Sequence, residues 1–281
     1  MKNEPPRTTP LLPPDYVELR DIASSLTREA GTLAVGMQND ASSTATTKSS
    51  RTDLVTASDQ AAEKRIVDGL RRLRPDDGIE GEEGTSTVGT SGVVWHIDPI
   101  DGTTNYVYGL PYCVSIGATF QRDPTDDKTN REIVAGAVYA PMADELFEAA
   151  LGEGALHDGR PIGANPIEEL AVALIGTGFS YQPENRVRQA SQLANIIGSV
   201  RDVRRVGAAA LDICAVAIGR LDAYYEEGLN FWDMAAGILI ARESGSIVTD
   251  DRGDAPTTSF LVAAAPSIHN DLLQVVQKAT Q

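Results

Sequence analysis

The segment Trp95-His96-Ile97-Asp98-Pro99-Ile100-Asp101-Gly102-Thr103-Thr104-Asn105 constrains this chain more than any other. An apolar run of strand character ends in a turn that carries two carboxylates three residues apart. Pro99 fixes one backbone angle and contributes no N–H. Gly102 admits a backbone conformation that other residues resist. Thr103, Thr104 and Asn105 can then open a helix whose free N–H groups point at an anion. One short stretch thus offers carboxylates to a cation and amides to a phosphate. Hard oxygen ligands of this kind suit Mg2+ or Mn2+.

Two further acidic sites bear on it. Gly81-Glu82-Glu83-Gly84 places paired glutamates in a flexible turn ahead of the strand, and Phe231-Trp232-Asp233-Met234 places an aspartate in the first turn of an apolar helix. Singly, the first reads as a solvated turn and the second as an acidic group set favourably against a helix dipole. Converging, they would read differently. Two carboxylates about 4 Å apart repel by roughly 4 kcal/mol at an effective dielectric near 20. Three or four together stay ionised only beside cations. A calcium-binding loop is the rival for an acidic turn, but its Asp-x-Asp-x-Asp-Gly run with a closing glutamate is absent from the sequence.

The 281 residues suffice for one large domain or two fused halves. A formal net charge of −16 opposes nucleic acid and anionic membranes. A phosphate site would therefore need local positive charge, which bound cations supply. Cys113 and Cys214 sit among apolar neighbours and read as buried thiols in a reducing cytoplasm. No apolar run reaches membrane-spanning length, and the N-terminus lacks a signal-peptide pattern. The expectation is a cytoplasmic protein with neither nucleic-acid nor membrane partners.

Residues 1–14 hold five prolines and read as a mobile tail. Residues 15–160 read as an N-terminal α+β half. Asp15 and Glu18 resemble a capping box, and Leu19, Ile22, Leu26, Ala30, Leu33 and Met37 then recur at helical spacing. A loop or irregular strand over 39–50 and a second helix over 59–73 follow. Strands over 93–97, 112–121, 132–139 and 146–150 form an antiparallel meander, with polar residues 123–131 as an exposed hairpin loop. Residues 161–281 alternate as a C-terminal α/β half, with strands over 171–177, 202–206, 222–225, 246–249 and 261–264. Its helices span 184–197, 208–218 and 231–243, and a last one starts at Ser267.

These residues resemble the inositol monophosphatases, within the lithium-sensitive, Mg2+-dependent phosphatase superfamily. The likeness covers about residues 15–280 and rests on four segments in order. They are Lys48-Ser49-Ser50-Arg51-Thr52-Asp53-Leu54-Val55-Thr56-Ala57-Ser58-Asp59, then Gly81 to Gly84, then Trp95 to Asn105, then Asp222-Ala223-Tyr224-Tyr225-Glu226-Glu227-Gly228-Leu229-Asn230-Phe231-Trp232-Asp233. The resemblance implies an αβαβα layered sandwich of the inositol monophosphatase and fructose-1,6-bisphosphatase type, usually a homodimer. It implies that Glu82, Asp98, Asp101, Asp233 and the main-chain carbonyl of Ile100 hold two or three Mg2+ ions, with Mn2+ an alternative. It further implies a catalytic set of Asp59, Thr103 and Glu82, the first two orienting the attacking water. Gly102 and Thr103 are implied to give N–H groups to phosphate. Asp101, Asp233, Ala209 and Glu226 complete the substrate-binding set, Glu226 meeting inositol hydroxyls. Lys48 matches a lysine near the family's mobile metal-binding loop.

The implied reaction is hydrolysis of a small phosphorylated polyol, myo-inositol monophosphate before the others. Histidinol phosphate, fructose 1,6-bisphosphate or a nucleotide phosphate are the alternatives within the superfamily. A non-catalytic binding protein of the same fold is the alternative class. Asn230 stands where some animal members carry a histidine, and Thr177-Gly178-Phe179-Ser180-Tyr181 lacks their serine-rich pattern. Both departures bear on the alcohol part of the substrate. Arg201, Arg204 and Arg205 read equally as a solvated strand end or as a contact to a dimer partner or substrate phosphate. Trp95 and Trp232 read as core anchors and His96 as a packed histidine, since Mg2+ prefers oxygen. His157 and His269 read as surface residues.

Overall fold

The computed structural model describes residues 11–40, 45–47, 54–123 and 131–280. Lys48, residues 1–10 of the proline-rich segment and residues 124–130 of the expected hairpin loop lie outside the described residues. Leu11 is engaged: its N–H donates to Arg122 O at 2.8 Å, and its side chain packs on the first hydrophobic core.

Helix α1 (Tyr16–Met37) starts where Asp15 caps it, accepting from Val17 N and Glu18 N at 2.9 and 3.1 Å. Helix α2 (Ala57–Leu73) starts two residues ahead of the expected 59, because Thr56 is its cap and Asp59 closes a reciprocal capping box. The two helices bury Leu19, Ala23, Leu26 and Ala30 with Ala62, Ile66 and Leu70 against Trp95, Ile97, Val114 and Ile116 of the first sheet.

A short antiparallel pair, β1 (Thr46–Thr47) with β2 (Leu54–Val55), stands apart from the main sheets. The first main sheet comprises β3 (Gly78–Gly81), β4 (Ser86–Thr87), β5 (Val93–Asp101), β6 (Cys113–Phe120), β7 (Glu132–Ala140), β8 (Glu145–Ala150), β9 (Ala155–His157) and β10 (Arg160–Pro161). Its order is β10-β9-β8-β7-β6-β5-β3-β4, antiparallel throughout except for the parallel pair β3 and β5. The expected meander is its centre. Strand β5 runs past the expected 97 as far as Asp101, with its register broken between Asp98 and Asp101. Pro99, which has no N–H to give to a ladder, lies within that break.

Helix α3 (Thr103–Tyr108) follows at once. Helices α5 (Ala209–Ala217) and α6 (Phe231–Glu243) form the middle layer. All residues from Met234 to Ala241 are buried, as befits a helix packed on both sides. Two glycines let α6 lie close to the first sheet. A Cβ on Gly117 would stand 2.8 Å from Ala235 Cβ, and one on Gly136 would stand 2.8 Å from Ala236 Cα.

The second sheet has the order β12-β11-β13-β15-β14. Its strands are β11 (Leu174–Thr177), β12 (Asp202–Arg204), β13 (Ala223–Glu227), β14 (Ile247–Thr249) and β15 (Phe260–Ala264). β11 runs parallel to β12 and β13, and β15 runs antiparallel to β13 and β14. Helices α4 (Pro183–Ile196) and α7 (His269–Ala279) cover its outer face, where Ile196, Leu272 and Val276 meet Ile175, Ala223 and Val262. The layers therefore stack α, β, α, β, α, the sandwich that the resemblance implied. His269 departs from its surface reading: it is buried, with Nε2 2.9 Å from Thr249 Oγ1. Among the described residues no helix is long and apolar enough to cross a membrane.

Candidate active site

Strand pairing brings the acidic groups together. The parallel register of β3 with β5 ends on Gly81 opposite Ile97, so Glu82 follows beside Asp98. Glu82 N donates to Ile97 O at 3.1 Å. The turn after it is fixed by Glu63 of α2, which accepts from Glu83 N at 2.7 Å, Thr85 N at 3.1 Å and Thr85 Oγ1 at 2.6 Å.

At the end of β5, Asp98 Oδ1 accepts from Ile100 N at 3.1 Å. Gly102 adopts φ 92°, a left-handed turn that glycine takes without strain, and this lets α3 begin directly after the strand. Asp101 accepts from Ala209 N at 3.1 Å and Ala210 N at 2.7 Å, so the positive end of α5 holds it. Asp233 is the third residue of α6 and accepts from Asn230 N at 2.7 Å.

Asp59 and Thr103 form a buried pair. Asp59 Oδ1 accepts from Thr103 Oγ1 at 3.1 Å, while Oδ2 accepts from Thr56 N at 2.8 Å and Thr56 Oγ1 at 2.6 Å. Thr103 Oγ1 also stands 3.3 Å from Ile100 O.

A cavity of about 450 Å³ collects these parts. Glu82, Asp98, Ile100, Asp101, Gly102, Thr103, Ala209, Glu226 and Asp233 all line it. Asp59 does not. It is fully buried and meets the cavity-lining Thr103 through that residue's hydroxyl. Glu226 projects from β13, and the Tyr224 hydroxyl donates to its Oε2.

Burial, reinforced by Glu82, Asp101 and Asp233, pushes the Asp98 carboxyl well above the usual carboxylate range. Burial, with Asp101 and Glu82 adding to it, does the same to Asp233. Asp101 is pushed up to about 6 by burial, against the hydrogen bonds from Ala210 and Ala209. Burial lifts Glu226 to about 7, opposed first by the Tyr224 hydroxyl. Among the described residues no three such side chains already stand around one ion position. The donor set nonetheless fits Mg2+ or Mn2+. It is all oxygen, and a divalent charge would relieve the repulsion that lifts Asp98 and Asp233.

The wall holds residues with no such role in the sequence reading, Trp232 and Gln182, beside residues 178–181 already tied to the alcohol part of the substrate. Trp232 lines the cavity instead of anchoring the core, because the second position of α6 falls at the cavity edge. Gly178, Phe179, Ser180, Tyr181 and Gln182 form another part of the wall. Trp95 does act as a core anchor, buried with Nε1 donating to Asp77 Oδ2 at 2.9 Å. His96 is packed as expected: Nε2 lies 3.0 Å from Thr119 Oγ1, and Phe231 meets its ring edge-on at 4.6 Å. The arginine cluster divides. Arg201 Nε donates to Val172 O at 2.6 Å and an Arg204 Nη donates to Asp202 Oδ2 at 2.6 Å, whereas Arg205 lines the cavity.

The sequence profile of the inositol monophosphatase family matches residues 15–281. The protein named Inositol-1-monophosphatase SuhB of Mycobacterium tuberculosis is 43% identical over 282 residues, covering 92% of this chain and 93% of that protein. The protein named Nus factor SuhB of Pasteurella multocida is 38% identical over 262 residues, covering 92% of this chain and 95% of that protein. The crystal structure of extragenic suppressor protein suhB from Bartonella henselae superimposes with a TM-score of 0.85 at 33% identity, covering 93% of this chain and 99% of that one.

Proposed function

Because the chain belongs to the inositol monophosphatase family, we propose that it hydrolyses a small phosphate monoester with the help of Mg2+, and that myo-inositol monophosphate is the foremost substrate. The observation that carries this reading is the buried Thr103–Asp59 pair opening onto a cavity lined by Glu82, Asp98, Asp101 and Asp233.

In this reading Glu82, Asp98, Asp101, Asp233 and the carbonyl of Ile100 hold two or three Mg2+ ions. Bound there, Mg2+ makes water more acidic and offsets the negative charge of the phosphoryl oxygens. Thr103 Oγ1 accepts a hydrogen bond from the attacking water and passes its own proton toward Asp59 Oδ1. The water oxygen forms the new bond to phosphorus as the bond to the alcohol oxygen breaks, and that oxygen leaves with the electron pair and takes a proton from solvent. Main-chain N–H groups of Gly102 and Thr103 orient the phosphate. Glu226, beside Ala209 on the cavity wall, accepts hydrogen bonds from the polyol, and Asp101 and Asp233 flank the ester. The protein works as a cytoplasmic homodimer, without nucleic-acid or membrane partners.

The relative named as a Nus factor raises a protein-binding role as the other class. A water-orienting pair kept beside four carboxylates favours the hydrolase. The test is a phosphate-release panel of inositol 1-phosphate, histidinol phosphate, fructose 1,6-bisphosphate and a nucleoside monophosphate, run with and without Mg2+ and with Li+. Mg2+-stimulated release, fastest on inositol 1-phosphate and inhibited by Li+, is the expected result. No release from any of them would leave a binding protein.

A further inference from the structure

We propose that Glu63 is a positioning residue for Glu82: it clamps the turn after β3 so that Glu82, and not the adjacent Glu83, faces the cations. The inference rests on the metal-assisted reading above and deepens it.

Glu63 lies within α2 and is 3% exposed. A carboxylate buried to that degree is tolerated only when hydrogen-bonded. Among the described residues its donors belong to one turn. Oε2 accepts from Glu83 N at 2.7 Å, and Oε1 accepts from Thr85 N at 3.1 Å and Thr85 Oγ1 at 2.6 Å. These bonds skip Glu82, whose own N–H goes to Ile97 O on β5 at 3.1 Å. Glu82 is thus pinned on both sides, by the sheet at its own amide and by α2 at the next one. Gly81 allows the close approach. A Cβ there would stand 2.5 Å from Glu63 Oε2, so a bare backbone is needed for the carboxylate to reach the turn.

Two adjacent glutamates are chemically equal candidates for a cation. Of the two, Glu82 lines the cavity and Glu83 does not. The bond from Glu83 N to Glu63 supplies the preference. Turning over the peptide between the two glutamates would break that bond and leave a buried carboxylate oxygen unsatisfied.

The register of α2 gives the clamp its bearing on chemistry. Asp59 and Glu63 are four residues apart, neighbours on one helix face, and both are buried. Asp59 meets Thr103, and Glu63 meets the turn that carries Glu82. One helix therefore sets where the water-orienting pair stands relative to a proposed metal ligand.

The test compares wild type, Glu63→Gln, Glu82→Gln and the double variant. Glutamine at 63 keeps the size but sets a donor against the donors of the turn. Mg2+ affinity is read by calorimetric titration, with Mn2+ followed by electron paramagnetic resonance in any variant too weak for calorimetry. Glu63→Gln is expected to weaken binding by about 10- to 100-fold, the usual cost of losing a residue that orients a ligand. In the Glu82→Gln background the same change should move affinity by less than about twofold. Unaltered affinity in Glu63→Gln overturns the proposal. An equal loss in both backgrounds also overturns it, because a residue that merely holds the fold weakens binding whether or not Glu82 is a ligand. Thr85→Val removes a single donor to the clamp and takes the place of Glu63→Gln if that variant does not fold. Its expected loss is about two- to tenfold, the worth of one hydrogen bond, and should vanish in the Glu82→Gln background. No loss, or one that persists there, overturns the proposal. Such non-additive binding in a chain that releases no phosphate would sink the hydrolase and leave the role of Glu63 standing. A wild type that binds neither ion would sink that role as well.

Discussion

Thr103 Oγ1 lies 3.1 Å from Asp59 Oδ1, pairing a hydroxyl at the start of α3 with a carboxylate in the first turn of α2 across 44 residues of chain. The remaining oxygen of Asp59 is committed to Thr56, so the carboxylate is locked in place and cannot swing away from Thr103. Asp59→Asn keeps an acceptor for the helix cap but removes the charge. Its kcat should fall by about 10²- to 10⁴-fold, as for loss of a general base. Thr103→Val should fall comparably. Circular dichroism should find both variants folded. Turnover retained in either variant would remove this pair from the reaction.

The stability of the ion-free protein should depend on pH in a defined sense. Asp101, Glu226 and Asp212 are raised by burial to about 6, about 7 and about 8. Each keeps its proton in the folded protein where the unfolded chain has lost it. The contribution is therefore complete below the ordinary carboxylate range near pH 4 and is lost as pH rises through those folded values. Mg2+ binds the ionised forms. The gain in Tm on adding Mg2+ should therefore grow from about pH 5 to about pH 8. A gain independent of pH would contradict this linkage.

Glycine at the sheet–helix contact should be indispensable to the spacing of Asp233 from Asp98. A Cβ on Gly136 meets the Ala236 backbone at 2.8 Å, and backbone cannot move aside cheaply. Gly136→Ala should cost about 1–3 kcal/mol in denaturant melts and lower turnover with it. Gly36, in α1 with nothing within 4 Å of its added Cβ, provides the control. There alanine should stabilise by up to about 1 kcal/mol.

How much of this was legible in the sequence follows from how local each signal is. The Asp98 to Asn105 run was legible because proline, glycine and two carboxylates fall within one turn, and Asp98, Asp101 and Gly102 line one cavity. Helices α1 and α2, the meander of β6 to β8 and the C-terminal alternation were legible from periodicity, whereas the layered order came from the resemblance alone. Strands β3, β4, β9 and β10 were not legible, being short elements of two to four residues toward the two ends of the first main sheet, with little apolar alternation. Arg205 and Trp232 were misjudged or left open because a neighbour-by-neighbour reading does not reveal which side of a strand end or helix start faces a cavity. Asp212 passed unnoticed as a lone acid in the apolar helix Ala209–Ala217, although it is almost wholly buried there.

Selectivity for the alcohol is assigned to Glu226. Glu226→Gln should reduce kcat/KM for inositol 1-phosphate by about tenfold, the worth of a hydrogen bond to a charged acceptor. The loss on p-nitrophenyl phosphate, which has no polyol hydroxyls, should be smaller. An equal loss on both esters would reject the assignment.

Calorimetric titration of Mg2+ into wild type and into Asp98→Asn asks most directly whether these carboxylates gather divalent cations. Asp98 carries the repulsion of Glu82, Asp101 and Asp233 together. Saturable binding to wild type that weakens tenfold or more, about 1.4 kcal/mol, in Asp98→Asn is the predicted result. A wild-type protein that binds no Mg2+, or an Asp98→Asn variant that binds it equally well, would contradict the account.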